Sequence, residues 1–298
     1  MASTCNNQTC VVTGATGFVG SRVAHHLRRQ GFLVKTWGRQ PVEGNQTTFF
    51  RLGQDVDREH LKGVHILVHC AYDFQARGWN AIRDSNVKGS QKLFRAAKES
   101  GVEKVVFVSS LSAFPGCRSL YGRAKLAIEA YAAEAAAWTI RPGLVYGNDP
   151  GGVFGRLVDQ VRSSSVVPLL SGGIQSQYLA HEEDLAGLVL GCLEGRVPTT
   201  QQPISVADER PWHLREILDE IANSMGKRLR FVPVPWQIIW FALKTLETLG
   251  ISSKFRSDSL IGMVFQNPSP SFALMKSLGF SCRPFGISPG MLKRDPAL

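Results

Sequence analysis

Tyr121 and Lys125 stand four residues apart in Leu120-Tyr121-Gly122-Arg123-Ala124-Lys125, at the head of an Ala-rich run that reads as a helix to about Ala136. Residues four apart share a helix face. An ammonium beside a phenol favours the phenolate, so the pair predicts a tyrosine of lowered pKa that gives and takes a proton near neutral pH. Ser110 follows an apolar run, Lys104 to Val108, and its hydroxyl can reach the same substrate oxygen; Ser112 is the alternative within Ser109-Ser110-Leu111-Ser112. A Tyr-x-x-x-Lys alone is more often a surface pair on a helix. A second stretch, Thr13-Gly14-Ala15-Thr16-Gly17-Phe18-Val19-Gly20, changes that weighting. It joins an apolar run, Cys10-Val11-Val12, to an amphipathic one from Phe18 to Arg29, in the order strand, glycine turn, helix. Glycines let the backbone approach a pyrophosphate closely, and the free N–H groups at the helix start face the anion. The spacing is G-x-x-G-x-x-G, and no Gly-Lys-Ser/Thr follows to make it a P-loop.

The elements that must position these groups alternate in type. Residues 33–37 read as a second strand and 49–52 as a short one, with Asp55-Val56 just after it. Residues 64–70 form a nearly continuous apolar run, as expected of a parallel strand buried on both faces. Residues 80–100 read as a helix ended by Gly101, and 104–108 as another buried strand. Strand–helix alternation predicts an α/β fold with a doubly wound parallel sheet, whose site lies at the carboxyl ends of the strands. The glycine turn, His69, Ser109 and Ser110 all fall at that edge. His65 and His69 share one face of their strand and read as packing groups rather than ligands.

The order of these motifs resembles that of the extended short-chain dehydrogenase/reductases, the group that includes the NAD-dependent epimerases and dehydratases. The matching residues are the glycine turn, Asp55-Val56, Val68-His69-Cys70-Ala71, Asn86-Val87-Lys88-Gly89-Ser90, Val108-Ser109-Ser110 and Tyr121 to Lys125. They continue with Arg141-Pro142-Gly143-Leu144-Val145-Tyr146-Gly147 and His181-Glu182-Glu183-Asp184-Leu185-Ala186, so the resemblance covers the first two-thirds of the chain. It implies a Rossmann-type dinucleotide-binding domain over 1–170, revisited at about 178–207, with 208–298 mainly a smaller substrate-binding lobe. It implies that Tyr121 exchanges a proton with a substrate hydroxyl or carbonyl, that Lys125 lowers the tyrosine pKa and holds the nicotinamide ribose, and that Ser110 orients the substrate oxygen. By the same resemblance Gly14, Thr16, Gly17, Phe18, Val19 and Gly20 cradle the cofactor, Cys70 and Ala71 line it, Asp55 and Val56 contact the adenine, and Pro142 and Leu144 lie near the nicotinamide.

Departures from the family pattern bear on cofactor and substrate. An acidic residue should close the second strand and hold the ribose hydroxyls of NAD. Gly38-Arg39 stands there instead. Arg39 can clamp a 2′-phosphate with no carboxylate in this stretch to repel it, so NADP(H) is expected over NAD(H). The sugar-nucleotide dehydratases carry an Asp-Glu pair where this chain has Leu111-Ser112. Many nucleotide-sugar epimerases grip the substrate diphosphate with an arginine where this chain has Gln177, and an amide offers no charged bidentate contact. The link from Ser110 to Tyr121 is short, leaving little room for an elaborate substrate loop. The leading expectation is therefore net oxidation or reduction of a secondary alcohol or ketone. An epimerase with retained NAD is the alternative, and a non-catalytic sensor or assembly factor on the same fold is the third reading.

The last third carries fewer signals. Residues 204–206 read as a returning strand and 212–225 as an amphipathic helix stopped by Gly226. After Phe231-Val232-Pro233-Val234-Pro235 comes an apolar helix to Leu249. Trp236, Ile239, Trp240, Leu243 and Leu246 share one face of it, widened by Ile238 and Phe241, for core, lid, dimer or membrane-surface contact. The tail, with Met291-Leu292-Lys293-Arg294, carries no motif. The 298 residues, 44% hydrophobic and 19% charged, describe a globular chain with room for a large core. The net charge of +10 suits an anionic ligand, but the basic residues are scattered and do not interleave with aromatics, which argues against nucleic acid. Six cysteines without a C-x-x-C and seven scattered histidines point to reduced cytoplasmic thiols and no metal. No signal peptide and no run of transmembrane length is legible, although weak membrane-surface association stays compatible with the basic charge. A small-molecule substrate and a homodimer complete the expectation.

Overall fold

The computed structural model describes residues 8–40, 47–251, 253, 255–288 and 290–292; Cys5, Lys293 and Arg294 lie outside them. The chain opens with β1 (Thr9–Thr13), α1 (Phe18–Arg29), β2 (Leu33–Gly38) and β3 (Thr47–Phe49). It continues with β4 (Ile66–His69), α2 (Gly78–Ile82), α3 (Lys88–Glu99), β5 (Lys104–Val108), α4 (Leu120–Glu134) and β6 (Trp138–Pro142). Then come β7 (Leu144–Tyr146), α5 (Gly152–Ser163), β8 (Val166–Leu170), β9 (Ser176–Gln177), β10 (Leu179–His181), α6 (Glu182–Leu193) and β11 (Ile204–Val206). The last stretch holds β12 (Trp212–His213), α7 (Leu214–Ser224), β13 (Arg230–Val234), α8 (Trp236–Thr248), α9 (Ser257–Val264) and α10 (Ala273–Ser277).

Seven strands form one parallel sheet in the order β11-β6-β5-β4-β1-β2-β3. Side chains alternate between its two faces because a strand has a period of two. Cys10, Val12, Ile66, Val68, Val106 and Val108 pack on one face with Val23 and Leu27 of α1 and Leu185 and Val189 of α6. Val11, Leu67, Val105 and Phe107 pack on the other with Leu93 and Phe94 of α3 and Ala124 and Ile128 of α4. Burial on both faces is why these strands read as unbroken apolar runs. A third core joins α5, α7 and α9 around Phe154, Ile217, Leu260 and Phe285, with one side of α8 against it.

The doubly wound parallel sheet read from the alternation is present, with shifted borders. The third strand ends at Phe49, because β2 ends at Gly38 and offers no further ladder, and Phe50 turns its ring into the core. The helix expected from residue 80 starts at Gly78 and passes through a π turn, Arg83–Val87, before α3. Asn86 in that turn is buried, and its side chain holds the backbone N–H of Asp73 at 2.6 Å and its carbonyl at 3.2 Å. The helix expected from Trp212 begins at Leu214: Trp212 pairs with Gln177 in an antiparallel ladder, and Glu216 accepts the His213 N–H at 2.7 Å to start the first turn. No described residue of α8 is fully buried. Ile238 and Phe241 do not widen its packed face; they lie on the opposite side, 61% and 69% exposed. Among the described residues, no helix is long and apolar enough to cross a membrane.

Candidate active site

At the carboxyl end of β1 the chain turns at Gly14, whose φ of +70° suits glycine. A Cβ there would lie 2.7 Å from the Ala71 Cα, and one at Gly20 would lie 2.3 Å from the Gly14 carbonyl oxygen. Glycine is therefore required for β1, α1 and the end of β4 to meet. Gly17 opens α1 without any side-chain cap, and no acidic residue stands in its first turn. Phe18 and Val19 begin the helix and Thr16 lies exposed beside Gly38. Free N–H groups, the positive helix end and a backbone-only approach fit a dinucleotide pyrophosphate. Below the turn, His69 is wholly buried between Thr13 (2.7 Å from Nδ1) and Ser90 (2.9 Å from Nε2). Ser90 donates its own proton to the Asn86 carbonyl, so Nε2 donates to Ser90 and Nδ1 accepts from Thr13. Burial holds its pKa down at about 3, and the ring is a neutral packing group.

At the end of β5 stand Ser109 and Ser110, and α4 lays Tyr121 and Lys125 against them. The Ser110 side chain faces the Tyr121 phenol and draws its pKa down, while its Oγ accepts the Ser112 N–H at 3.1 Å. The Tyr121 ring meets Tyr72 edge-on at 4.9 Å and stacks on Phe74 at 5.9 Å between centroids. Lys125 is only 2% exposed; its Nζ donates to the Val108 carbonyl at 2.7 Å and lies 4.7 Å from the Phe107 ring centroid. One turn further, Glu129 accepts from Ser109 Oγ at 2.6 Å and from Arg141 of β6 at both carboxylate oxygens. A bidentate ion pair between the buried Glu129 and the half-buried Arg141 thus pins α4 to two neighbouring strands.

The tyrosine pKa moves opposite to the sequence-based expectation. Burial pushes Tyr121 up to about 12, opposed by the neighbouring Ser110, and burial lowers Lys125 to about 8 against the pull of Cys70 and Glu129. The ammonium is aimed at Val108 and Phe107, 6.0 Å from the Tyr121 ring centroid, so desolvation wins over charge proximity.

The remaining predicted residues fall around this edge. Cys70 and Ala71 follow β4, tied to Thr13 at 3.3 Å each. Pro142 ends β6 beside Val206, with its carbonyl accepting from Leu111 N–H at 3.0 Å, and Leu144 opens β7 half-buried. Val56 packs on the core, whereas the Asp55 carboxylate is 93% exposed and paired with Lys92 at 2.7 Å. Arg39 follows β2, but a carboxylate does stand beside it: Asp73 Oδ1 lies 3.6 Å from Nη1. Asp73 is 34 positions away in the chain, so the expectation of an unopposed arginine missed it.

Gln177 is 2% exposed and engaged within the protein, donating to the Met263 carbonyl at 3.3 Å and accepting from Gln266 Nε2 at 2.6 Å. Sequence reasoning also missed Tyr72, Phe74 and Asp258. Asp258 accepts the Leu120 and Tyr121 backbone N–H groups at 2.7 and 3.0 Å. Its only local signal was an acid at the start of an apolar helix, which reads as a stabiliser of its own α9.

The profile of the NAD dependent epimerase/dehydratase family matches residues 10–203. The chain is 27% identical over 267 residues to a UDP-glucose 4-epimerase of Vibrio cholerae, covering 78% of this chain and 80% of that one. It is 28% identical over 238 residues to a ceramide reductase of Caulobacter vibrioides, covering 75% and 73%. Its fold matches MoeE5, solved with UDP-glucuronic acid and NAD, with a TM-score of 0.74 at 22% identity over 93% and 94% of the two chains. The chain belongs to the NAD-dependent epimerase/dehydratase family and is an enzyme of the extended short-chain dehydrogenase/reductase type.

Proposed function

We propose that this enzyme uses NADP(H) to interconvert a secondary alcohol and a ketone on a small molecule. The observation that carries the reading is the Tyr121 phenol beside Ser110, with Lys125 buried one turn away on the same helix. When bound, the nicotinamide cofactor supplies or takes up the hydride. Tyr121 keeps its proton at neutral pH because burial raises its pKa, so its resting form is a donor to a carbonyl oxygen, which supports reduction. Ser110 orients the substrate oxygen toward the phenol, and the Lys125 ammonium offsets the negative charge left as the proton departs. The aromatic rings of Tyr72 and Phe74 against Tyr121 support an apolar substrate surface, in keeping with the ceramide reductase among the relatives. The capture of Gln177 by Gln266 and Met263 argues against a substrate diphosphate at that position. We place the enzyme in the cytoplasm as a homodimer, the first supported by the free state of all five described cysteines and the second by the prevalence of two-fold dimers among soluble oligomers.

A second reading, an epimerase that retains NAD, draws support from Asp73 beside Arg39, where it opposes a 2′-phosphate, and from the UDP-glucose 4-epimerase relative. One experiment separates the two. The purified protein is denatured and any released nicotinamide cofactor identified by mass spectrometry, and Tyr121→Phe is assayed for ketone reduction with NADPH. An empty or exchangeable site and a kcat loss of about a thousandfold are expected, with NADPH affinity unchanged. Stoichiometric NAD(H), or a fully active Tyr121→Phe, would overturn the proposal.

A further inference from the structure

We infer that Asp258 is a positioning residue for Tyr121, through which the α8–α9 segment sets the geometry of proton transfer; this rests on the reading of Tyr121 given above. The first turn of a helix leaves its N–H groups without intrahelical partners. In α4 they are met from two sources. Ser119 caps the helix locally, its Oγ accepting from Gly122 N–H at 3.0 Å. Leu120 and Tyr121 instead donate to the two oxygens of one carboxylate from a distant part of the chain, Asp258, at 2.7 and 3.0 Å. Bonds to an ionised acceptor are roughly twice as strong as neutral ones, and this anion also sits at the positive end of α4. Asp258 stands in the first turn of α9, so two helix starts converge on it. One turn on, a Cβ at Gly262 would touch Ser119 at 3.7 Å, so α9 runs directly past the cap.

The two residues before Asp258 extend the connection. Ser257 donates from N and Oγ to the Glu247 carboxylate near the end of α8, both at 2.8 Å. The Arg256 guanidinium donates to the carbonyls of Phe74 and Ala76, in the loop whose aromatic rings flank Tyr121. Arg77 of the same loop returns a bond to the Glu247 carbonyl at 3.1 Å. Three consecutive residues thus join the aromatic loop, α8 and the amide of Tyr121 itself. A displacement of α8–α9 carries the phenol and the rings against it as one unit. Since a misplacement of about 1 Å can cost roughly a hundredfold in rate, the junction has the leverage to set turnover without touching substrate.

The test compares Asp258→Ala, Asp258→Asn and Ser119→Ala in the full chain. Both Ala variants remove a cap from α4, but only Asp258→Ala cuts the link to α9. Measurements are NADPH affinity, kcat and KM for a reduced ketone, melting temperature, and amide exchange over residues 119–124 by mass spectrometry. Asp258→Ala should lower kcat by about tenfold or more, with NADPH affinity within about twofold, and should speed exchange at residues 120 and 121. Asp258→Asn, which keeps an acceptor oxygen, should recover part of the rate. Ser119→Ala should lower the melting temperature by about 2–4 °C, as Asp258→Ala does, while keeping its rate. Wild-type kcat in Asp258→Ala, or an equal kcat loss in Ser119→Ala, would overturn the inference. A fully active Tyr121→Phe would instead report that the reading of Tyr121 had failed.

Discussion

Lys125 is the side chain on which the site's pH response turns. It carries three N–H donors into a nearly sealed position and spends one on the Val108 carbonyl. Burial holds its pKa down at about 8, so its charge is present below that pH and is lost as pH rises through it. Tyr121, pushed up to about 12, keeps its proton across the same range. The kcat of reduction should therefore stay level up to about pH 8 and fall above it, and the falling limb should belong to Lys125. Lys125→Arg, whose guanidinium stays protonated, should flatten that limb in a pH–rate profile even where its absolute rate is lower. An unchanged limb in the variant would assign it elsewhere.

Among the elements, the β1–α1 turn tolerates least. Gly20 faces the Gly14 carbonyl so closely that the first turn of α1 can lie against β1 only without a Cβ. Gly20→Ala should cost about 1–3 kcal/mol of folding stability through backbone displacement, and it should weaken NADPH binding more than substrate binding. Denaturant melts together with cofactor titration check this; unchanged cofactor affinity would mean that the pyrophosphate does not sit on this turn. The glycines, the amphipathic stripe of α1 and the Tyr-x-x-x-Lys spacing were legible because each is set within one or two turns of chain. The start of α7 was not, since Trp212 is amphipathic in a helix register yet is drawn into a ladder by Gln177, 35 positions earlier.

At the scale of the molecule, the sheet edge gathers groups from every part of the fold, and some oppose one another. Arg39 and Asp73 approach from the ends of two strands that both neighbour β1. A 2′-phosphate must win the guanidinium from that carboxylate. Arg39→Ala should weaken NADPH about tenfold to a hundredfold with little change for NADH, whereas Asp73→Asn should tighten NADPH, both read by fluorescence titration. Equal effects of Arg39→Ala on the two cofactors would remove the arginine from cofactor choice. The same long-range logic governs α8, where Trp236, Ile239, Trp240 and Leu243 meet the third core while Ile238 and Phe241 stay at the surface.

The order of strands and helices, the burial of the central strands, the glycine turn and the placing of Tyr121 and Lys125 on one helix are determined by the sequence alone, because apolar period and short spacing are local properties of the chain. Ser109 and Ser110 were legible for the same reason, as the two residues just beyond a buried strand. Only the tertiary structure decided the rest. The Tyr121 pKa rises rather than falls because burial removes water from the phenol. Arg39 acquires a carboxylate, Gln177 a second amide, and the amide of Tyr121 an acid from α9. Each of these depends on which distant residue arrives at the same point and how much solvent it displaces, and neither quantity is written in the spacing of nearby residues.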